Sequence, residues 1–78
     1  TNYLSRNQVN QLEKRIKEIE SEIPTLEAEA ARLSAEMANP KIASDYPRLA
    51  EITDKVADTE ARIKSLYEEW EKAASELG

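Results

Sequence analysis

The sequence predicts an all-α fold, a two-helix antiparallel coiled-coil hairpin, and three observations carry that prediction. Apolar residues recur at alternating steps of three and four in two long stretches, the a/d spacing of a coiled coil. The first row reads Val9, Leu12, Ile16, Ile19, Ile23, Leu26, Ala30, Leu33 and Met37. The second reads Leu49, Ile52, Val56, Thr59, Ile63, Leu66, Trp70, Ala73 and Leu77. The stretch between them, Met37 to Pro47, holds Pro40 and Pro47 in a chain otherwise rich in helix formers, and the two rows fall in mirror order about it. Composition agrees. With no Phe, one Trp, three Tyr and 35% charged residues, the chain has too little apolar material for a globular core and enough for a narrow seam.

Residues 1–6 read as the remnant of a polar linker, and the missing initiator Met makes the chain look excised from something longer. Ser5 is placed to cap a first helix over residues 7–38, roughly 48 Å long at about 1.5 Å per residue. Gln, Glu, Lys, Arg and Ala fill its outer face. Pro24 is discordant, since it removes the backbone bond to Glu20 and crowds that carbonyl. A kink or local bulge is expected there, with seam packing on both sides holding the helix together. Residues 39–45 form the turn, because a residue before proline is pushed out of the helical region and Asn39 is therefore a natural stop. Ser44 or Asp45 can cap a second helix over residues 46–77, with Pro47 tolerated in its first turn. Mirror pairing sets Met37 beside Leu49, Ile19 beside Leu66 and Ile16 beside Trp70. Thr59, the polar member of the second seam, can bond back to the Lys55 carbonyl.

Several function classes are excluded by what is missing. The chain has neither Cys nor His, which removes disulfides, thiolate nucleophiles and the commonest zinc ligand and general base. It has no Gly-rich phosphate loop and no nucleophile–base pair, so the segment is read as non-enzymatic, without cofactor or metal. No apolar run approaches the roughly 20 residues of a membrane span. Adjacent carboxylates such as Glu68-Glu69 read as solvated faces, since a two-helix rod has no pocket in which to give them unequal environments. A net charge of −5 disfavours non-specific binding to phosphate backbones or anionic membranes. The run Lys14-Arg15-Lys17 could touch phosphates, while interleaved Glu13, Glu18 and Glu20 offer i,i+4 pairs such as Glu13–Lys17 instead. At the tip, Lys41 and Arg48 bracket the turn. Tyr46 there is expected to pack over Ile42, the alternative being to stack on a nucleobase. Trp70 is expected in the seam, and Tyr67 beside it either covers the seam or serves a neighbouring domain.

The second helix closes with Leu66-Tyr67-Glu68-Glu69-Trp70-Glu71, which resembles the closing Leu-Tyr-x-x-Trp-Glu of the C-terminal coiled coil of Uup-type ABC-F proteins. Leu4-Ser5 stands where that coil tends to begin Leu-Ser-Tyr-Lys-Glu, and Asn39-Pro40 with Asp45-Tyr46 is similar to the family's turn. Arg6-Asn7 departs from the aromatic–basic pair of the pattern, and Pro24 sits later than the proline of some relatives. The turn is also similar to that of the N-terminal helical domain of release factors, which lack the Tyr67–Trp70 ending.

ABC-F proteins are twin-cassette ATPases without membrane spans. The resemblance implies a cytoplasmic parent that holds ATP and Mg in upstream cassettes. The coil would then be a non-catalytic accessory domain adding contacts to DNA or the ribosome, packed against its own ABC cassettes, as a monomer or weak dimer. The nucleic-acid contact candidates are Lys14, Arg15, Lys17, Arg62 and Lys64, with Lys41, Tyr46 and Arg48 at the tip. The competing expectation is a purely structural spacer or dimerisation arm contacting protein.

Overall fold

The computed structural model describes residues 4–78. Three helices follow in order: α1 (Arg6–Met37), α2 (Pro40–Ala43) and α3 (Tyr46–Leu77). The two long helices lie antiparallel along one another, making a rod whose Cα extents are 57 × 17 × 15 Å. The described residues contain no strand.

Each helix begins for a local reason. Ser5 accepts a hydrogen bond from the Gln8 backbone N–H at 3.1 Å, and the Gln8 side chain accepts from the Ser5 N–H at 2.9 Å. This reciprocal capping box starts α1 at Arg6, inside the span expected for a linker; residues 1–3 of that span lie outside the described residues. Asp45 caps α3 by accepting from the Arg48 N–H at 3.2 Å, with Pro47 in the first turn where its missing N–H costs nothing. Within the expected turn over residues 39–45 lies a single helical turn. Ala38 closes α1, and Asn39 caps α2, accepting from the Lys41 N–H at 3.0 Å with Pro40 at the first helical position. A residue held in the extended region before proline is also the right geometry for an N-cap, so the stop of one helix becomes the start of another.

Every residue of both seams is buried or half-buried. Ile19, Ile52 and Leu66 are fully enclosed, and Ile19, Ile23 and Leu66 form a central cluster against which Leu26 and Trp70 pack. The register expected from mirror pairing is the one observed, with Ile19 and Leu66 in one cluster. Thr59 donates to the Lys55 carbonyl at 2.8 Å, so its hydroxyl enters the seam satisfied. The α1 helix continues through Pro24 without interruption, and Pro24 itself is exposed. Seam residues Ile23 and Leu26 on either side clamp the backbone across the missing bond.

Candidate functional site

With Val9 and Leu49 taken as a positions, the residues flanking the seam fall into two unlike edges. One edge is made of g positions: Gln8, Arg15, Glu22, Glu29 and Glu36 on α1, and Arg48, Lys55, Arg62, Glu69 and Glu76 on α3. Antiparallel pairing sets opposite charges against each other along this edge. Arg15 grips Glu69 in a bidentate pair, with Nη2 donating to Oε1 at 2.9 Å, and Arg62 Nη2 donates to Glu22 Oε1 at 3.3 Å. The Arg15 hydrogen bond holds the Glu69 carboxyl below the usual carboxylate range, against the opposing effect of desolvation, and the Arg15 guanidinium is correspondingly pushed up. Arg15 also meets Glu18 at 3.4 Å.

The other edge is made of e positions, and it is acidic and aromatic. Glu13, Glu20 and Glu27 of α1 face Ala74, Tyr67 and Glu60 of α3 in that order, with Arg6 at the open end of the α1 row. Trp70 reaches across from the seam, donating from Nε1 to Glu20 Oε2 at 3.2 Å. Around this bond lies an open cleft of about 290 Å³ lined by Glu20, Ile23, Pro24, Glu27, Tyr67 and Trp70. Trp70 therefore serves the seam as expected, and Tyr67 stays 46% exposed at the cleft's side.

The candidate nucleic-acid contacts are not gathered into one surface. Arg15 and Arg62 are committed to cross-helix carboxylates on the g edge. Lys14 and Lys17 stand exposed on the outer face of α1, where the b and f positions from Asn7 through Ala35 carry no carboxylate. Neither lysine makes an ion pair among the described residues, so the expected Glu13–Lys17 pair does not form. Lys64 is exposed on α3 between Glu60 and Glu68, one turn away on either side.

At the tip Lys41 is exposed and Arg48 approaches Glu51 at 3.4 Å. The expected packing of Tyr46 over Ile42 is overturned, because Tyr46 is 78% exposed. Tyr46 is the first residue of α3, directly after the cap, and Ile42 is half-buried. The complementary g edge was missed by a reading confined to pairs within one helix. Writing the two g rows in opposite directions would have found it.

The described residues offer no group of three or more side chains able to hold a metal ion, and no helix among them is long and apolar enough to cross a membrane. A rod with one apolar seam, one self-neutralised edge and an exposed aromatic tip defines a class, the all-α helical hairpins. The family is more specific than the shape: the chain belongs to the ABC transporter C-terminal domain family, whose model matches residues 5–74. It is thus an ABC-associated C-terminal accessory domain. No curated protein and no solved structure gives a significant match.

Proposed function

We propose that this hairpin is the C-terminal coiled-coil arm of a cytoplasmic, Uup-type ABC-F ATPase, and that it adds a contact to DNA or ribosomal RNA. The observation that carries this reading is Tyr46, a tyrosine left 78% exposed at the leading end of the rod between Lys41 and Arg48. An unpacked ring on a tip that also carries Lys41 and Arg48, with Asp45 directly before it, offers the stacking face that single-stranded or splayed bases require. Lys14 and Lys17 supply a second, sequence-independent contact on the b and f positions of α1, which carry no carboxylate, with neither lysine paired to the neighbouring Glu13, Glu18 or Glu20. Arg15 and Arg62 act inside the hairpin, where they fix register. ATP hydrolysis belongs to the cassettes of the parent.

Fluorescence anisotropy with labelled duplex DNA and structured RNA tests this, comparing the parent chain with Tyr46→Ala, Lys41→Glu and Lys14→Glu/Lys17→Glu variants. Weaker binding in each, with helicity by circular dichroism unchanged, is the expected result. Unaltered affinity in all three removes the nucleic-acid role.

A second reading has its own support. The net charge of −5 and the use of both cross-helix arginines in structure favour a spacer or protein-contacting arm. Sedimentation over a concentration range separates the two, since a tight dimer that buries the tip belongs to the structural reading.

A further inference from the structure

The two edges of the rod treat charge in opposite ways. Along the g edge every acidic row position of α1 from Glu22 to Glu36 faces Arg or Lys in the α3 row, and Arg15 faces Glu69. Along the e edge the same register places Glu27 opposite Glu60 and Glu20 opposite Tyr67; Arg6, the one cation of the two rows, stands at the open end of α1, two heptads before Glu20. Like charges facing across a coiled coil are unfavourable, and nothing in the hairpin offsets these. Lys64, one turn from Glu60, makes no ion pair among the described residues.

The cleft on this edge is specific in what it offers. Glu20 and Glu27 stand two turns apart, roughly 10 Å along the helix, at its two ends. Trp70 occupies Glu20 Oε2 and leaves Oε1 open, so the carboxylate is held in place by one oxygen and available through the other. Glu27 has no hydrogen-bond or ion-pair partner among the described residues. Pro24, at the middle of the cleft, leaves the Glu20 carbonyl without its usual helical donor. Tyr67 and Trp70 supply aromatic surface. The lining therefore presents acceptors and π-faces and no basic group.

We propose that this cleft binds an arginine side chain presented by a segment of a partner protein. A guanidinium has five donors and no acceptor, stacks flat on an aromatic ring, and takes a carboxylate edge-on. A lysine ammonium meets the charge but neither the plane nor the fork. A second groove among the described residues has no such bias: its lining includes Glu29, Glu36, Arg32, Arg48, Lys55 and Asp58, so both signs meet inside it. The arginine site is separate from the tip and from Lys14 and Lys17, and it stands whether or not those bind nucleic acid.

The sole Trp of the chain is Trp70, which makes its fluorescence a local reporter. The probe is the blocked peptide acetyl-Gly-Arg-Gly-amide, titrated at physiological salt, with the citrulline peptide as an uncharged isostere and the lysine peptide alongside. Saturable quenching is expected with arginine, weaker with lysine and absent with citrulline. Amide shifts should concentrate on residues 20–27 and 67–70 and include the Trp70 indole N–H. Tyr67→Ala should weaken binding roughly two- to fivefold, as loss of a cation–π contact at a half-exposed ring implies. Glu27→Lys should abolish binding and raise the melting temperature, by replacing the repulsion from Glu60 with attraction. Equal responses to arginine and citrulline would overturn the proposal. So would shifts spread over all acidic faces, or binding unaffected by both substitutions in variants that circular dichroism shows to be folded.

Discussion

At the scale of single residues, the hairpin rests on a few enclosed side chains and on pairs that cross the seam. Ile19, Ile52 and Leu66 are fully buried in a rod only two helices thick, so each forms a large share of the core. Leu66→Ala should cost about 2–5 kcal/mol, enough to abolish a cooperative melting transition in a domain this small. A chain that still melts cooperatively near its original temperature would show that the seam is not the source of stability. The Arg15–Glu69 pair has a defined pH signature. The folded-state pKa of Glu69 is lowered by Arg15, so its stabilising contribution is complete above the unfolded glutamate value of about 4.3. It is lost as pH falls through the lowered folded value. Melting curves of wild type and Glu69→Gln should therefore differ near neutrality, begin to approach below the unfolded glutamate value and converge only below the lowered folded one. A gap that persists in acid would assign the effect of Glu69 to packing. The seam residues were legible from spacing alone, because burial in a coiled coil depends only on phase. The fate of Arg15 and Arg62 was not, since their partners lie 54 and 40 residues away and emerge only once the register is known.

At the scale of elements, caps and prolines decide where the helices begin and whether they continue. Asp45→Ala should destabilise the start of α3 by about 1 kcal/mol, because the Arg48 N–H loses its acceptor. Hydrogen exchange confined to the first turn of α3 would read this directly, and unchanged protection there would deny the cap its role. Pro24→Ala should raise stability, by as much as about 3 kcal/mol, since it restores the helical donor to the Glu20 carbonyl at an exposed position. A drop in melting temperature would mean that the proline shapes packing across the seam. The reversal at Asn39-Pro40 was visible in the sequence as a break. Its second use as the cap of α2 follows from the same two residues, because extended geometry before proline suits both an ending and a beginning. Tyr46 was not legible. Whether an aromatic ring at the first position of a helix folds back or points outward depends on the direction of the tip, which spacing does not set.

At the scale of the whole molecule, a rod 57 Å long holds its neutralised edge, its acidic aromatic edge and its tip in fixed relation. The net charge of −5 is unevenly spread: carboxylates crowd the e edge and the outer face of α3, while the b and f positions of α1 carry none. Overall acidity and a local nucleic-acid contact are therefore compatible, with the tip and the outer face of α1 as the surfaces of approach. The measurement that tests this most directly is anisotropy of labelled duplex DNA and structured RNA titrated with the chain over a range of salt concentrations. Contacts by Lys14, Lys17, Lys41 and Arg48 predict saturable binding whose log–log salt slope lies near −2 to −4, roughly one unit per phosphate neutralised. Absence of binding even at low salt, or affinity indifferent to salt, would contradict it and leave the hairpin as a protein-contacting arm.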